Sequence, residues 1–288
     1  MAAIDHAGTF DFGDLAVHRM GYGAMQLAGP MAYGPPRDRA TAIAVLRRAV
    51  EAGVNHIDTS DYYGPFVVNE IIREALYPYP DDLVIVTKIG ARRGDGGSWR
   101  PAFSASDLTQ AVHDNLSRLG LEQLHAVNLR SMFSPHGPAE GSLDAALEVL
   151  AGLQQQGLVR HIGLSNVTPK QVADGRAMCT VACVQNHYNL VHRGDDAMID
   201  ELGAAGIAYV PFFPLGGFSP LQSDELSAVA ASLGATPMQV ALAWLLRRAP
   251  NILLIPGTSS LGHLEENLAA ASLALPDDAM TALDAIGG

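Results

Sequence analysis

The stretch Leu83-Val84-Ile85-Val86-Thr87-Lys88 decides how the chain folds. A run of apolar residues that ends in a polar pair is typical of a strand buried on both faces. Such strands belong to parallel sheets whose faces are covered by helices. Seven further segments also predict strands: Arg19–Met25, Val54–Asp58, Leu124–Arg130, Leu158–Gly163, Val181–Gln185, Ile207–Phe212 and Asn251–Ile255.

Helical segments separate these predicted strands. Apolar residues recur at helical spacing between Ile43 and Val50, which predicts an amphipathic helix. Two more helices are predicted over Ser106–Leu119 and Ser142–Gln156, because each range begins with serine and stops before a glycine. Thr236-Pro237 opens another helix that runs to Arg248, since proline is tolerated in the first turn of a helix.

Eight strand-then-helix units predict an α/β fold, a (β/α)₈ barrel formed by residues 1–288 as a single domain. An open doubly wound sheet is the competing arrangement, but Gly21-Tyr22-Gly23 lacks the third glycine of a dinucleotide-binding turn. Thr9–Asp11 and Ala16–His18 flank a Gly-Asp pair, which predicts a β-hairpin ahead of the barrel. The residues after Pro276 predict one extra C-terminal helix.

Composition excludes several functional classes. Of the 288 residues 48% are hydrophobic, enough to form a core, which excludes a disordered chain. Eighteen basic residues against 30 acidic ones give a net charge of −12, which excludes a nucleic-acid binder that works by charge. Two cysteines exclude a disulfide-rich fold, and no metal site is predicted. Without a targeting signal or a run of about 20 apolar residues, we expect a cytoplasmic protein with no membrane partner.

Three polar residues at predicted strand ends suggest a chemistry. Asp58 ends the second strand, Tyr63 follows it, and Lys88 ends the third. In a (β/α)₈ barrel these ends meet at one mouth, which is where active sites lie. An ammonium group beside a tyrosine favours the phenolate, so we expect a lowered pKa for Tyr63. A tyrosine in this setting can protonate a carbonyl oxygen while hydride reaches the carbonyl carbon.

These residues and others resemble the aldo-keto reductases from about Gly21 to Asn267. The motifs are Asp58-x-x-x-x-Tyr63-Gly64, Lys88, Ser165-Asn166, Gln185 and Ile255-Pro256-Gly257 through Glu266-Asn267. Three further blocks look like a bacterial branch of that family with NADPH-dependent pyridoxal reductases: Gly21–Leu27, Val127–Arg130 and Val210–Gly217.

The resemblance implies a role for each matching position. Tyr63 is the expected proton donor, Lys88 its electrostatic partner and Asp58 the anchor of Lys88, with Arg130 as the fourth catalytic candidate. The expected cofactor is NADPH, with NADH as an alternative. The residues implied to bind it are Gly23, Ala24, Met25, Asp58, Ser165, Asn166, Gln185, Phe212, Pro214, Leu215, Gly257, Thr258, Ser259, Ser260, His263, Glu266 and Asn267.

Three positions depart from the family pattern. Arg130 stands where most members have histidine, and arginine cannot give up a proton in a protein. Arg130 is therefore expected to hold the carbonyl oxygen, unless it pairs structurally with Asp58 or Glu70. Gly257 and His263 stand where many members have lysine and arginine next to the adenosine 2′-phosphate. Trp99, in a loop after the third strand, is either a substrate contact or a surface residue.

The resulting hypothesis is an enzyme that moves hydride from NADPH to a small carbonyl substrate. The best single substrate is pyridoxal, reduced to pyridoxine, and the alternative is another small aldehyde or ketone. Two other hypotheses stay open: a non-catalytic NADP-sensing barrel, and an isomerase that binds phosphate after strands 7 and 8. The sequence leaves the oligomeric state open, and a monomer is one possibility.

Overall fold

The computed structural model describes residues 3–217 and 221–287, and a parallel sheet lies at its centre. Its strands run in the order β11-β10-β9-β8-β5-β4-β3, so neighbours in space follow one another along the chain. Two short antiparallel pairs, β1-β2 and β6-β7, lie outside this sheet. The strands are β1 Thr9–Phe12, β2 Leu15–His18, β3 Tyr22–Gly23, β4 His56–Asp58, β5 Val84–Ile89, β6 Ala91–Arg93, β7 Trp99–Pro101, β8 Leu124–Arg130, β9 Val159–Ser165, β10 Val181–Gln185 and β11 Ala208–Tyr209.

Helices connect the strands of this sheet and cover its outer face. The α-helices are α1 Arg39–Glu51, α2 Val67–Leu76, α3 Ala105–Leu119, α4 Asp144–Gln155, α5 Pro169–Met178, α6 Asp196–Ala204, α7 Asp224–Leu233, α8 Pro237–Arg248, α9 Leu261–Ala269 and α10 Asp277–Asp284. Short 3₁₀ turns span Ala3–Ala7, Ala24–Leu27, Pro30–Ala32, Asp95–Gly97, Ala270–Ser272 and Ala285–Gly287.

The sheet closes into a barrel through residues 251–257. Ile252 bridges to Tyr209 on one side, and Leu254 bridges to Met20 on the other, both in parallel. Backbone hydrogen bonds of 2.7–3.3 Å connect this segment to both neighbours. The predicted (β/α)₈ barrel is therefore confirmed.

The prediction of a regular eighth strand over Asn251–Ile255 is wrong. This segment makes only isolated bridges, because its neighbours β11 and β3 are two residues long. The predicted first strand is shorter as well, since Ala24 and Met25 lie in a 3₁₀ turn. The predicted seventh strand ends at Tyr209, and Pro211 lacks the N–H that a sheet ladder needs.

Sequence signals for helix ends hold with small shifts. The helix predicted from Ser106 begins one residue earlier, at Ala105, and the Ser104 hydroxyl caps it. The helix predicted from Ser142 begins at Asp144. Thr236 caps α8 with a reciprocal bond to Gln239, as the Thr-Pro start predicts. The C-terminal helix α10 is also confirmed.

The barrel interior is a small apolar cluster of its own. Val84 and Val86 point into it, while Ile85 packs outward against the helices in the larger core. Phe12 and Val17 of the predicted hairpin, now β1-β2, belong to the same interior cluster and are completely buried. The hairpin therefore plugs the bottom of the barrel and leaves the opposite end open.

No single helix among residues 3–217 and 221–287 is long and apolar enough to span a bilayer, although α7 and α8 would qualify as a pair, which is bent by 92°.

One arginine ties the closing segment to its surroundings. The Arg19 guanidinium donates to the carbonyl oxygens of Leu246 and Ala249 at 2.8 and 2.6 Å, at the end of α8. It also donates to Ile252 at 3.2 Å and to Ala7 at 3.3 Å. A cation that binds the last carbonyls of a helix also interacts favourably with the helix dipole.

We expect Arg19→Met to lower the free energy of unfolding by about 3 kcal/mol, since a hydrogen bond to a charged group contributes roughly 1.5–3 kcal/mol and the carbonyls regain water only in part. Urea denaturation measures this loss. Arg39→Gln is the matched control, because Arg39 bonds Glu74 on the exposed surface. Its loss should stay below about 1 kcal/mol. Equal losses in both variants would contradict a closing role for Arg19.

Candidate active site

A buried ion pair lies at the open end of the barrel. The ammonium of Lys88 at the end of β5 donates to the carboxylate of Asp58 at the end of β4, and to the Thr59 carbonyl at 3.0 Å. The Gln185 amide nitrogen, at the end of β10, donates to the second Asp58 oxygen at 2.8 Å. Asp58 and Lys88 thus meet as their strand-end positions predict, and Gln185 joins a third strand end to the same carboxylate.

Tyr63 lies beside this pair in the loop after β4. The Lys88 nitrogen is 5.2 Å from the centre of the Tyr63 ring. Burial raises the pKa of Tyr63 above its ordinary value, and the Asp58 carboxylate adds to that rise. The charges of Arg130 and Arg93 act in the opposite direction but do not offset it.

The expectation of a lowered pKa for Tyr63 is therefore wrong. The charge of Lys88 is balanced by Asp58. Desolvation of the Tyr63 phenolate is therefore the largest effect on the pKa of Tyr63, and it raises that pKa. Tyr63 is thus protonated at neutral pH, as an ordinary tyrosine is, and a proton donor needs that state.

Among the buried polar atoms without a hydrogen-bond partner in the described part of the chain, three belong to residues at the ends of β9 and β10. They are the Ser165 hydroxyl and the side-chain oxygens of Asn166 and Gln185. The Asn166 nitrogen donates to three backbone carbonyls at 3.0–3.2 Å, and the Gln185 nitrogen is held by Asp58. Because both amide nitrogens are fixed, both amide oxygens are free to accept. A hydroxyl and two acceptors match a primary carboxamide, which has two N–H donors and one oxygen.

Arg130 ends β8 at the same mouth. Within residues 3–217 and 221–287 no carboxylate lies within ion-pair distance of it, so the structural pairing with Asp58 or Glu70 is excluded. Glu70 instead bonds Arg118. The Arg130 guanidinium lies 5.6 Å from the Phe212 ring centre and 6.0 Å from that of Trp99.

Phe212 lies at an irregular end of the seventh strand. Its ring stacks on His187 with centres 5.6 Å apart and planes 11° apart. The Phe212 side chain stays partly accessible at the mouth, next to Arg130. The following residues Pro214 and Leu215 form the start of the loop that leaves this mouth.

The loop after the closing segment carries the residues implied for the adenosine end of the cofactor. The Thr258 hydroxyl accepts from the Ser260 backbone at 3.0 Å, and the Ser260 hydroxyl caps α9. Ser259 and His263 are exposed. Glu266, by contrast, already accepts from the Thr236 hydroxyl at 2.5 Å. Asn267, the last residue implied for the adenine side, is buried.

The structure explains the glycine at position 257. Gly23 and Gly257 approach each other as a parallel bridge, and a Cβ at Gly257 would lie 2.8 Å from the Gly23 carbonyl oxygen. A Cβ at Gly23 would lie 2.4 Å from the Ile255 carbonyl oxygen. Close backbone approach therefore excludes a lysine at this point in the chain. Next to it, Met25 and Ser259 line a cavity of about 440 Å³ that also includes Arg37.

Sequence reasoning missed two contributors to the mouth. The segment after β5 folds back as the hairpin β6-β7, which places Arg93, for which no role was predicted, beside Trp99. His187, which stacks on Phe212, was assigned no role in the site. The Gly94–Gly97 range between the two strands was a turn signal that could have indicated this hairpin.

Comparison with known proteins agrees with this geometry. The pattern of the "Aldo/keto reductase family" matches residues 19–287. The chain is 68% identical over 281 residues to a pyridoxine 4-dehydrogenase of Escherichia coli (strain K12), covering 97% of this chain and 98% of that protein. It is 38% identical over 289 residues to an uncharacterized oxidoreductase of Schizosaccharomyces pombe, covering 99% and 92%.

Solved structures share the fold. A thermostable aldo-keto reductase crystallised with the inhibitor epalrestat superposes with a TM-score of 0.81 at 27% identity, covering 96% of this chain and 97% of that one. An aldo/keto reductase from Klebsiella pneumoniae in complex with NADP and acetate gives a TM-score of 0.79 at 23% identity, covering 97% and 95%. With a family pattern over nearly its whole length and close relatives within that family, this chain belongs to the aldo/keto reductases.

Proposed function

We propose that this aldo/keto reductase transfers hydride from NADPH to the aldehyde of pyridoxal and so forms pyridoxine. The observation that carries the proposal is the set of unpartnered atoms on Ser165, Asn166 and Gln185 beside the Asp58–Lys88 pair. The name of the 68% identical relative, pyridoxine 4-dehydrogenase, supports the choice of substrate.

The chain's residues fit a nicotinamide cofactor at this place. The Asn166 and Gln185 oxygens can accept from the carboxamide nitrogen, and the Ser165 hydroxyl can donate to its oxygen. Such a three-point hold fixes which face of the ring points at the substrate. When bound, the cofactor supplies the hydride, and the protein supplies position, electrostatics and a proton.

Tyr63 supplies the proton in this proposal. Its hydroxyl is protonated at neutral pH, so it can donate to the carbonyl oxygen as negative charge develops there. The phenolate left behind is favoured by the positive charge of Arg130, while Lys88, 5.2 Å from the ring centre, is paired with Asp58. Arg130 thus lowers the energy of the product of proton transfer.

Arg130 supplies recognition of the substrate. It is a fixed cation with planar donors, and no carboxylate among the described residues neutralises it. Pyridoxal carries a ring hydroxyl next to its aldehyde, and this hydroxyl ionises easily. The Arg130 guanidinium can bridge two oxygens of pyridoxal, the ionised ring hydroxyl and the aldehyde oxygen. This contact turns the carbonyl carbon toward the nicotinamide.

NADPH, rather than NADH, is the proposed cofactor. The family resemblance assigns the 2′-phosphate to the loop before α9 and the start of that helix. This part of the chain carries the exposed side chains of Ser259 and His263 and the hydroxyls of Thr258 and Ser260. Hydroxyl and imidazole donors can hold a phosphate, although with less charge than the lysine and arginine of many relatives.

The wild type should oxidise NADPH when pyridoxal is added, and Tyr63→Phe should lower kcat by about 10²-fold or more, the usual contribution of a positioned acid. The affinity for NADP⁺ should stay the same. Steady-state kinetics and NADP⁺ titration measure both. Tyr62→Phe is the matched control, because the buried Tyr62 hydroxyl has no partner among the described residues and should cost less than about threefold in rate. Equal losses would mean that the wrong tyrosine has been chosen.

His263→Arg should tighten NADP⁺ binding by about tenfold and leave NAD⁺ binding unchanged, because a charge-assisted bond to the 2′-phosphate adds roughly 1.4 kcal/mol. Fluorescence titration with both nucleotides gives the two dissociation constants. His113→Arg, at a position on α3 that is also exposed, is the control for a general gain in positive charge. Parallel tightening in both variants, or of both nucleotides, would remove His263 from the 2′-phosphate site.

Arg130→His should retain activity on simple neutral aldehydes and lose 1–3 kcal/mol in kcat/KM for pyridoxal, about the penalty for one hydrogen bond to a charged group. The deciding measurement is the ratio of kcat/KM for pyridoxal to that for benzaldehyde in both proteins. An unchanged ratio would show that Arg130 does not recognise the substrate, and the pyridoxal assignment would lose its main physical support.

A further inference from the structure

The guanidinium of Arg93 connects three loops at the mouth of the barrel. It donates to the Gly97 carbonyl at 2.7 Å, within the β6-β7 hairpin. It donates to Met31 at 2.9 Å and Ala32 at 3.4 Å, in the loop after β3. It also reaches the Tyr62 carbonyl at 3.5 Å, in the loop after β4. One side chain thus fixes the hairpin against the two loops that flank the candidate site.

Arg93 also holds an aromatic ring. Its guanidinium carbon lies 3.7 Å from the centre of the Trp99 ring. The indole packs edge-on against Tyr62 with centres 5.1 Å apart, and Tyr62 packs edge-on against Tyr63 at 5.4 Å. The Arg130 guanidinium is 6.0 Å from the same indole. Trp99 is therefore linked to the proton donor Tyr63 through Tyr62 and lies near Arg130, the cation proposed to bind the substrate.

Trp99 has surface left for a ligand. It is 37% exposed, although it is packed between Arg93 and Tyr62. A large aromatic side chain held half-open beside a reaction centre is the kind of surface on which ligand rings pack.

We propose that Arg93 is a positioning residue that holds Trp99 as an aromatic wall of the substrate pocket, which makes the pocket selective for planar aromatic carbonyl compounds. The inference rests on the proposed function, because it takes Tyr63 and Arg130 as the residues that meet the carbonyl group.

The chemistry of the contact requires arginine. A guanidinium can stack on an indole face and still donate in its own plane to several carbonyls, whereas an ammonium offers a compact charge without a plane. Its neighbour Arg92 has a different role, since it bonds Asp107 on the outer surface. The two adjacent arginines of the hairpin thus separate into one that faces the site and one that faces solvent.

The test compares Trp99→Leu, Arg93→Gln and the double variant, with propanal and pyridoxal as substrates. Each single variant should raise KM for pyridoxal by about tenfold, the size of one lost ring contact, and change kcat/KM for propanal less than about threefold. The double variant should lose no more than Trp99→Leu alone, because Arg93 acts through Trp99. Trp99→Phe and Arg93→Lys complete the set, the first retaining pyridoxal affinity and the second losing it.

Calorimetric binding of 4-deoxypyridoxine, which has no oxidisable 4-hydroxyl, to the NADP⁺-loaded enzyme gives a readout apart from turnover. It should weaken by about the same factor in Trp99→Leu and Arg93→Gln, while Arg92→Gln, the control, binds as the wild type does.

Additive losses in the double variant, or equal losses with propanal and pyridoxal, would overturn the role of Arg93. Tight 4-deoxypyridoxine binding by Trp99→Leu would overturn the role of Trp99 as an aromatic wall. Because Trp99 is exposed, Trp99→Leu still tests the proposal if Arg93→Gln folds poorly. A wild type that reduces propanal but binds no aromatic ligand overturns this inference alone. If no added carbonyl compound makes the wild type oxidise NADPH, the proposed function is overturned. The binding data then still decide whether aromatic rings pack on Trp99.

Discussion

The contact on which the site depends is the buried ion pair of Lys88 and Asp58. Two charges in a protein interior are tolerated only when each meets its partner and the remaining polar atoms are bonded. Here the second Asp58 oxygen is used by Gln185, and Lys88 also reaches the Thr59 carbonyl. Removing one partner would leave an uncompensated buried charge, so the three strand ends have to stay together. Tyr63 and the carboxamide-binding atoms take their places around that fixed point.

The alternation of side chains along each strand explains why the Asp58–Lys88 contact forms at the mouth of the barrel. Side chains alternate between the two faces of a strand, so a strand that places Val84 and Val86 in the barrel interior must place Lys88 there too. Apolar residues fill the lower layers, and the plug formed by Phe12 closes the bottom. Asp58 and Lys88 lie in the top layer, where the interior opens, while His56 is a buried polar side chain below them. Fold and site thus follow from one geometric rule.

That rule also explains how much of the molecule could be predicted from the sequence. The barrel, the hairpin plug and the meeting of Asp58 with Lys88 depend on local patterns and on the common edge of parallel strands, so they were predictable. The pairing of residues 251–257 and the pKa of Tyr63 depend on distances between segments far apart in the chain. So does the position of Arg93, whose hydrogen-bond partners span residues 31–97. No local pattern contains these distances. For this reason the prediction of a lowered Tyr63 pKa and the prediction of an eighth strand over Asn251–Ile255 were both wrong.

The charges at the mouth oppose the charge of the whole chain, and distance decides which of them a substrate meets. The chain carries −12, yet Arg93 and Arg130 both act on Tyr63 as positive charges, while Asp58 is matched by Lys88. At physiological salt, exposed charges are screened beyond about 8 Å, whereas buried and half-buried ones act at closer range with less screening. An anionic oxygen that enters the mouth therefore meets Arg130, which no carboxylate among the described residues pairs, rather than the acidic surface. The same cation favours the phenolate that forms when Tyr63 gives up its proton, so recognition of the substrate and transfer of the proton depend on one local field.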